Sequence, residues 1–401
     1  MTDSDDLAVP EGTRLVHIGP PKTGTTAIQL ALFKRRADLR EHGIVFPGKG
    51  YRPRAAGWAV IGAGVPRGRR EQPTMADWQA LVDEVAAAGD QRVVVSNESF
   101  ADGYADAVQT IVDGLGGERI HVVHTVRRVD KLLSSHWQQR VQAGLTVPYD
   151  EWLRIALGEP NPENGHWRGF WRHHDLADVM DRWVSAAGAD KVTLIIADES
   201  DHLLLPRLFE RFLDLPAGYL RLPEDRANRS MSLNEIEMVR RLHALGKKAG
   251  WDADLFRQVM RFGVTETMMR RPRDPDDSRI ELPAWAAERS AELNQERADI
   301  VRSLGVRVIG DPETLCATPS AREAEDLPEV RISTDTAAEA IAAAIDAGER
   351  RLASSESAAA KRAVKAERAS DAHGPRTVAG TTSRELLAEV RSRVVRRVRR
   401  K

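Results

Sequence analysis

The sequence predicts an α/β domain built on a parallel sheet with helices on both faces. Three observations lead there. Short apolar runs closed by glycine or proline recur along the chain, helical patterns fill the gaps between them, and a glycine-rich turn joins the first run to the first helix.

Each element follows in order. Leu15-Val16-His17-Ile18, closed by Gly19-Pro20-Pro21, reads as a buried strand. Thr25 to Leu39 carries Ile28, Leu32 and Leu39 at near-helical spacing and reads as a helix. Ile44-Val45-Phe46, ending at Pro47-Gly48, is a second strand. Residues 76–88 place Trp78, Leu81, Val82 and Val85 on one helical face. Val93-Val94-Val95 is a third strand, Ile120-His121-Val122-Val123 begins a fourth, and Val192 to Ile196 is a fifth. Helices are expected over 130–143 and 175–187, and Val306 to Ile309, closed by Gly310, reads as a last short strand. No internal repeat interrupts the pattern.

The ends differ in composition. Residues 1–12 read as a disordered lead-in, 13–318 as the α/β domain, and 319–401 as a tail dominated by Ala, Glu, Arg and Ser. Within the tail, Thr336 and Glu339 form a capping-box pattern ahead of Ile341 and Ile345, so a short helix is expected there. Residues 350–380 are polar and Ala-rich and read as mobile. Beyond Arg384, Leu387, Val390, Val394 and Val398 recur about one turn apart among seven late basic residues from Arg391 to Lys401. Such a stripe suits an anionic membrane surface or polyanion, with a solvated disordered tail as the simpler reading.

The charge balance narrows the function. With 59 Lys and Arg against 60 Asp and Glu, the net charge of −1 excludes a chain-wide polycation, and nucleic acid is not an expected partner. A single cysteine, Cys316, excludes an intrachain disulfide framework and fits a reducing compartment. No apolar run approaches the ~20 residues of a membrane span. The acidic Met1 to Asp6 stretch lacks the apolar core of a signal peptide, so a soluble, cytoplasmic enzyme is expected.

The most informative segment is Gly19-Pro20-Pro21-Lys22-Thr23-Gly24-Thr25-Thr26, between a strand and a helix. Backbone N–H groups at a helix start are unpaired, and the helix dipole adds partial positive charge there. Gly24 admits close approach of an anion, and Thr25 and Thr26 add hydroxyls. The glycines have Walker-A spacing, but Thr25 stands where that motif has its lysine, and the lysine has moved to Lys22. A second signal lies where the fourth strand runs into Val126-Arg127-Arg128-Val129 and then a helix with Ser134-Ser135. A guanidinium fork and a helix hydroxyl are suited to a phosphate.

Together these motifs resemble the sulfotransferases that use 3′-phosphoadenosine 5′-phosphosulfate (PAPS). Positions 21–26 match the family's Pro-Lys-Ser/Thr-Gly-Thr-Thr loop, and Arg127 and Ser135 have the offset of its 3′-phosphate grip. The resemblance spans roughly residues 13–312, and its middle, including Ser96-Asn97-Glu98-Ser99-Phe100 after the third strand, looks similar to carbohydrate-type and bacterial members. It implies a P-loop-like parallel five-stranded sheet. It also implies that Lys22 offsets charge on the leaving oxygen and that Thr23, Gly24, Thr25 and Thr26 cradle the 5′-phosphate. Arg127 and Ser135 would hold the 3′-phosphate. The family's Asn-Pro after the arginine is replaced by Arg128-Val129, so Arg128 or Ser134 could share that role.

The implied reaction moves a sulfuryl group in line to an acceptor hydroxyl or amine, with a saccharide the first expectation, and requires no metal. A hydroxyl acceptor needs a base. Glu98, just after the third strand at the carboxyl edge, is the first candidate; a helix-start or salt-bridge carboxylate is the competing reading. His17 reads as a buried structural histidine, and His166, His173 and His174 as polar loop residues rather than ligands. The basic stretch 49–73, with Lys49, Arg52, Arg54, Arg67, Arg69 and Arg70 against Glu71, would receive an anionic glycan or be a solvated loop. Trp167, Trp171, Arg168 and Arg172 form a basic-aromatic patch in which the tryptophans more naturally pack in the core than stack on sugars. Asn228-Arg229-Ser230 would border the cofactor. A kinase with a deviant loop and a non-catalytic nucleotide scaffold are the alternatives; Thr25 in place of the Walker lysine argues against the first.

Overall fold

The computed structural model describes residues 7–64, 72–221, 229–324 and 327–371. Arg67, Arg69, Arg70, Glu71, Asn228 and the basic stretch 384–401 lie outside them. The chain divides into one compact unit, Met1–Ala343, and a second, Ala344–Lys401.

The larger unit is α/β. Its strands are β1 (Arg14–Gly19), β2 (Ile44–Val45), β3 (Arg92–Ser96), β4 (Ile120–Val126), β5 (Val192–Ile196) and β6 (Arg307–Ile309). They form one sheet in the order β2-β3-β1-β4-β5-β6, parallel throughout. The sheet is therefore six-stranded rather than five-stranded. The extra edge is the short run before Gly310, which pairs Thr193 with Arg307 and Ile195 with Ile309.

Neighbouring strand residues feed opposite cores, as the two-residue period of a strand requires. Val16, Val93, Val122 and Leu194 join Trp78, Phe100 and Trp183 on one face. Leu15, Val94, Val123 and Ile195 join Ile28, Leu32, Phe209 and Phe212 on the other. Burying a side chain of this size contributes ~1.5–3 kcal/mol, which makes both faces strongly apolar and both helix layers obligatory.

Three boundaries differ from expectation. The helix expected over 25–39 breaks at Arg35 into Thr25–Lys34 and Arg36–Leu39, with the Lys34 charge in the last turn of the first piece. Val9, in the expected lead-in, is buried and donates its N–H to the Phe212 carbonyl at 2.9 Å. A long helix, Thr334–Asp371, replaces the short helix and much of the stretch read as mobile. Alanine, glutamate, arginine and lysine are strong helix formers, so it needs little apolar face. Its start is fixed by Ser333, whose hydroxyl accepts from the Thr336 N–H at 3.1 Å; Thr336 is thus inside the first turn rather than the cap. Before it, Arg322 pairs with Asp150 at 2.7 Å.

Candidate active site

The carboxyl ends of β1, β3, β4 and β5 bring the candidate residues together. Because β2 and β3 lie to one side of β1 and β4 to β6 to the other, the chain reverses direction of winding at β1. Open α/β sheets bind ligands at such a point.

The loop after β1 is held by its backbone. Gly19 has φ +91°, and a Cβ there would meet Glu98 Cα at 3.1 Å, so only glycine lets the β3 end approach this closely. Lys22 has φ +73°, a left-handed conformation that costs a non-glycine residue ~1–2 kcal/mol. The Thr23 hydroxyl donates to the Pro20 carbonyl at 2.7 Å and so braces the loop from within. Gly24, also left-handed, precedes the helix Thr25–Lys34, and among the described residues no side chain caps that helix. Its first N–H groups are thus left for an anion, and Gly24 and Thr26 are exposed beside them.

Glu98 opens a short 3-10 turn, Glu98–Asp102, straight after β3. The preceding Asn97 accepts from the Ser99 N–H at 3.1 Å and donates to the Pro53 carbonyl at 3.0 Å, which fixes both the turn and the segment before the helix Arg54–Val60. Thr25 donates its hydroxyl to one oxygen of Glu98 at 2.8 Å, and Arg52 pairs with the other. Glu98 is therefore both a turn-start carboxylate and an ion-pair partner, placed against the loop. Arg52, read only as one of several basic residues, is the ion-pair partner of Glu98 that local sequence did not reveal. Arg54 stacks on Trp58 at 5.5 Å and donates to the Tyr51 hydroxyl.

Arg127, one residue beyond β4, bridges two segments. It donates to the Lys22 carbonyl at 2.6 Å and forms a bidentate pair with Glu199 at 2.6 Å per bond. Glu199 lies just past β5 and was not anticipated. Arg128 instead forks onto the buried Asp130 at 2.9 and 3.0 Å. That pairing turns Arg128 toward the start of the helix Val129–Gln142, whose first N–H is capped by Asn294 at 2.7 Å. Ser134 and Ser135 are half-buried on the second turn of that helix. The residue after Ser135, His136, feels the charge of Lys22.

Electrostatics favour anion chemistry here. Burial pushes the Lys22 ammonium below its ordinary pKa and Arg127 adds to this, while Glu98 opposes it. His17 is fully buried, bonded through Nδ1 to the Ser96 hydroxyl at 2.9 Å, and burial lowers its pKa to about 4. It is a structural histidine.

The remaining candidates sit elsewhere. His166, His173 and His174 are not loop residues: all three lie on the helix Gly165–His174, and His173 and His174 are buried. Trp167 and Trp171 are half-buried and line a cleft of about 200 Å³ whose walls include His174, Arg289 and Arg297, and none of the phosphate-loop residues. Arg172 donates to the Asp102 carbonyl at 2.7 Å and stacks over Tyr104. Arg229 forks onto buried Glu235 at 2.8 and 2.6 Å and belongs to that ion pair.

No protein-family model matches the chain, and neither does any curated protein sequence. Among solved structures, a sulfotransferase from Alicyclobacillus acidocaldarius overlaps with 16% identity and a TM-score of 0.37, covering 62% of this chain and 99% of its own. The chemistry therefore has to rest on this chain's own residues. Among the described residues, no helix is long and apolar enough to cross a membrane.

Proposed function

We propose that this protein transfers a sulfuryl group from PAPS to an acceptor hydroxyl or amine. The observation that carries the reading is the uncapped start of the helix Thr25–Lys34, preceded by the left-handed Lys22 and flanked by Glu98 and Arg127. Open backbone N–H groups, a constrained lysine and a nearby arginine fit a ligand with two separated phosphates.

PAPS supplies the activated sulfuryl group and its phosphate leaving group. Thr23, Gly24, Thr25 and Thr26 form the cradle for the 5′-phosphate, with Thr23 acting through the bracing of the loop. Lys22 offsets charge that develops on the leaving oxygen. Arg127 and Ser135 hold the 3′-phosphate, for which Glu199 must yield its place on the guanidinium. Glu98 takes the acceptor's proton once the acceptor displaces Thr25 or Arg52 from one of its oxygens.

A saccharide acceptor is the finer proposal, supported by the basic Arg52 and Arg54 beside Glu98. The basic stretch 384–401 is proposed to touch an anionic surface or polymer and not nucleic acid. The 319–401 stretch otherwise stands apart from the transfer chemistry, which is placed in the cytoplasm.

Ligand stabilisation tests the reading. Adenosine 3′,5′-bisphosphate at ~100 times its dissociation constant is expected to stabilise the fold by ~2.7 kcal/mol. ATP with magnesium is expected to do much less, and equal or greater stabilisation by ATP would overturn the proposal in favour of a kinase. Labelled PAPS with fractionated extract then identifies the acceptor by the mass of the labelled product.

A further inference from the structure

Three imidazoles meet away from the phosphate loop. His136 comes from the helix Val129–Gln142, and His173 and His174 come from the end of Gly165–His174. All three are buried, and one ring nitrogen from each lies within 4.8 Å of the others. Among the described residues, His136 Nδ1, His173 Nε2 and both nitrogens of His174 are buried without a hydrogen-bond partner. A folded protein rarely leaves four such atoms together unless something satisfies them.

The orientation of His173 is informative. Its Nδ1 faces an Asp102 oxygen at 2.9 Å. An ionised carboxylate only accepts, so Nδ1 carries the hydrogen and Nε2 is left with its lone pair directed into the cluster. A carboxylate behind a histidine is the arrangement that fixes the tautomer of a metal-binding imidazole. Phe170 and Trp152 pack against His136 and shield the site. His174 borders the 200 Å³ cleft, which offers access from solvent.

We propose that His136, His173 and His174 bind a divalent transition-metal ion of the zinc class, with Asp102 holding His173 in position. Three nitrogen donors suit zinc or cobalt and not magnesium or calcium, which take oxygen ligands. An ion ~2.0–2.1 Å from each nitrogen draws the donors together, to roughly 3.3 Å apart in tetrahedral geometry, so small side-chain rotations accompany binding. Lys22, Arg140 and Arg297 are the cationic neighbours of His136 and His174. Those cations also discriminate: an ion held by charge alone is repelled, while one that forms coordinate bonds to imidazole is retained. Asp102 ends the turn that Glu98 begins, so the ion would tie both histidine helices to the segment carrying Glu98. The proposal does not depend on the sulfuryl-transfer reading.

The test uses the untagged full chain, stripped with a chelator and titrated with Co²⁺ and then Zn²⁺. One Co²⁺ per chain is expected, with the visible absorption of a tetrahedral site, displaced by one Zn²⁺. X-ray absorption on the zinc form is expected to show three imidazole nitrogens at ~2.0–2.1 Å. His136→Gln and His173→Gln are expected to abolish stoichiometric binding, and Asp102→Asn to weaken it ~10–100-fold. Sub-stoichiometric binding, an all-oxygen shell, or affinity unchanged in the histidine variants would overturn the proposal. Should a variant fail to fold, the stoichiometry and X-ray absorption of the unsubstituted chain decide alone.

Discussion

Arg127 donates to the backbone carbonyl of Lys22 at 2.6 Å, so the end of β4 holds the one non-glycine residue of the β1 loop that adopts a left-handed conformation. The bond joins the arginine proposed for one phosphate to the lysine proposed for the other end of the ligand. Such a constrained backbone persists only where its surroundings over-determine it.

Lys22 therefore separates activity from stability. Lys22→Ala is expected to lower turnover by ~10²–10³ with PAPS saturating, the scale for removing one transition-state donor. Lys22→Gly is expected to lose turnover similarly while stabilising the fold by up to ~1–2 kcal/mol, because glycine adopts the left-handed conformation without strain. Steady-state kinetics and urea unfolding of both variants check this, and near-normal turnover in either removes the assigned role.

Arg127 and Glu199 are expected to act in opposite directions. Arg127→Ala should weaken adenosine 3′,5′-bisphosphate by roughly 1.5–3 kcal/mol, the range for a hydrogen bond to a charged group, and weaken the analogue lacking the 3′-phosphate less. Glu199→Gln should tighten the bisphosphate, since a competing carboxylate charge leaves the guanidinium. Calorimetry with both nucleotides distinguishes the two; equal losses for both in Arg127→Ala would refute a 3′-phosphate contact.

Glu98→Gln keeps the shape of the side chain and removes its capacity to take a proton. Cofactor binding is expected to persist and transfer to fall ~10²–10⁴-fold, the usual contribution of a general base. A single-turnover assay with bound PAPS isolates the step, and normal transfer returns Glu98 to its bonds with Thr25 and Arg52.

Acid stability follows from His17. Burial lowers its folded pKa to about 4 against an unfolded value near ~6.5, so the unfolded chain binds the extra proton between these values. Stability from this residue is complete above pH ~6.5 and lost progressively as pH falls toward the folded value, about 2 kcal/mol of it by pH ~5. Urea unfolding at both pH values should show a shallower loss for His17→Gln than for the unsubstituted chain. Parallel slopes would mean that His17 is not neutral in the fold.

The phosphate loop and all six strands were legible, the last of them against the five that the family resemblance implies, because their signals are local: glycine and threonine at fixed offsets, and apolar runs closed by turns. The pairs that complete the site were not. Arg52 meets Glu98 from 46 residues away, and Arg127 meets Glu199 from 72. Each looks like an ordinary surface charge until the sheet aligns the strand ends. His173 and His174 misled for the opposite reason. Adjacent histidines read as polar loop residues, whereas the end of the helix Gly165–His174 packs them against His136 from another helix and against Phe170. The long helix Thr334–Asp371 escaped because propensity, not an apolar face, specifies it.

Asn294 and Arg297 sit one turn apart on the helix Ala284–Ser303. Asn294 caps the helix bearing Ser135 and His136, while Arg297 donates to the carbonyls of Arg127 and His174. A single turn near the end of the larger unit thus anchors segments that are more than a hundred residues upstream. For anyone trimming this chain to a minimal piece, the turn carrying Asn294 and Arg297 has to stay, even though the residues of both candidate sites lie in the first 200. A ribosome must likewise release that turn before either site can take its final shape, so a nascent chain stalled earlier presents the phosphate loop without the framework that makes it useful.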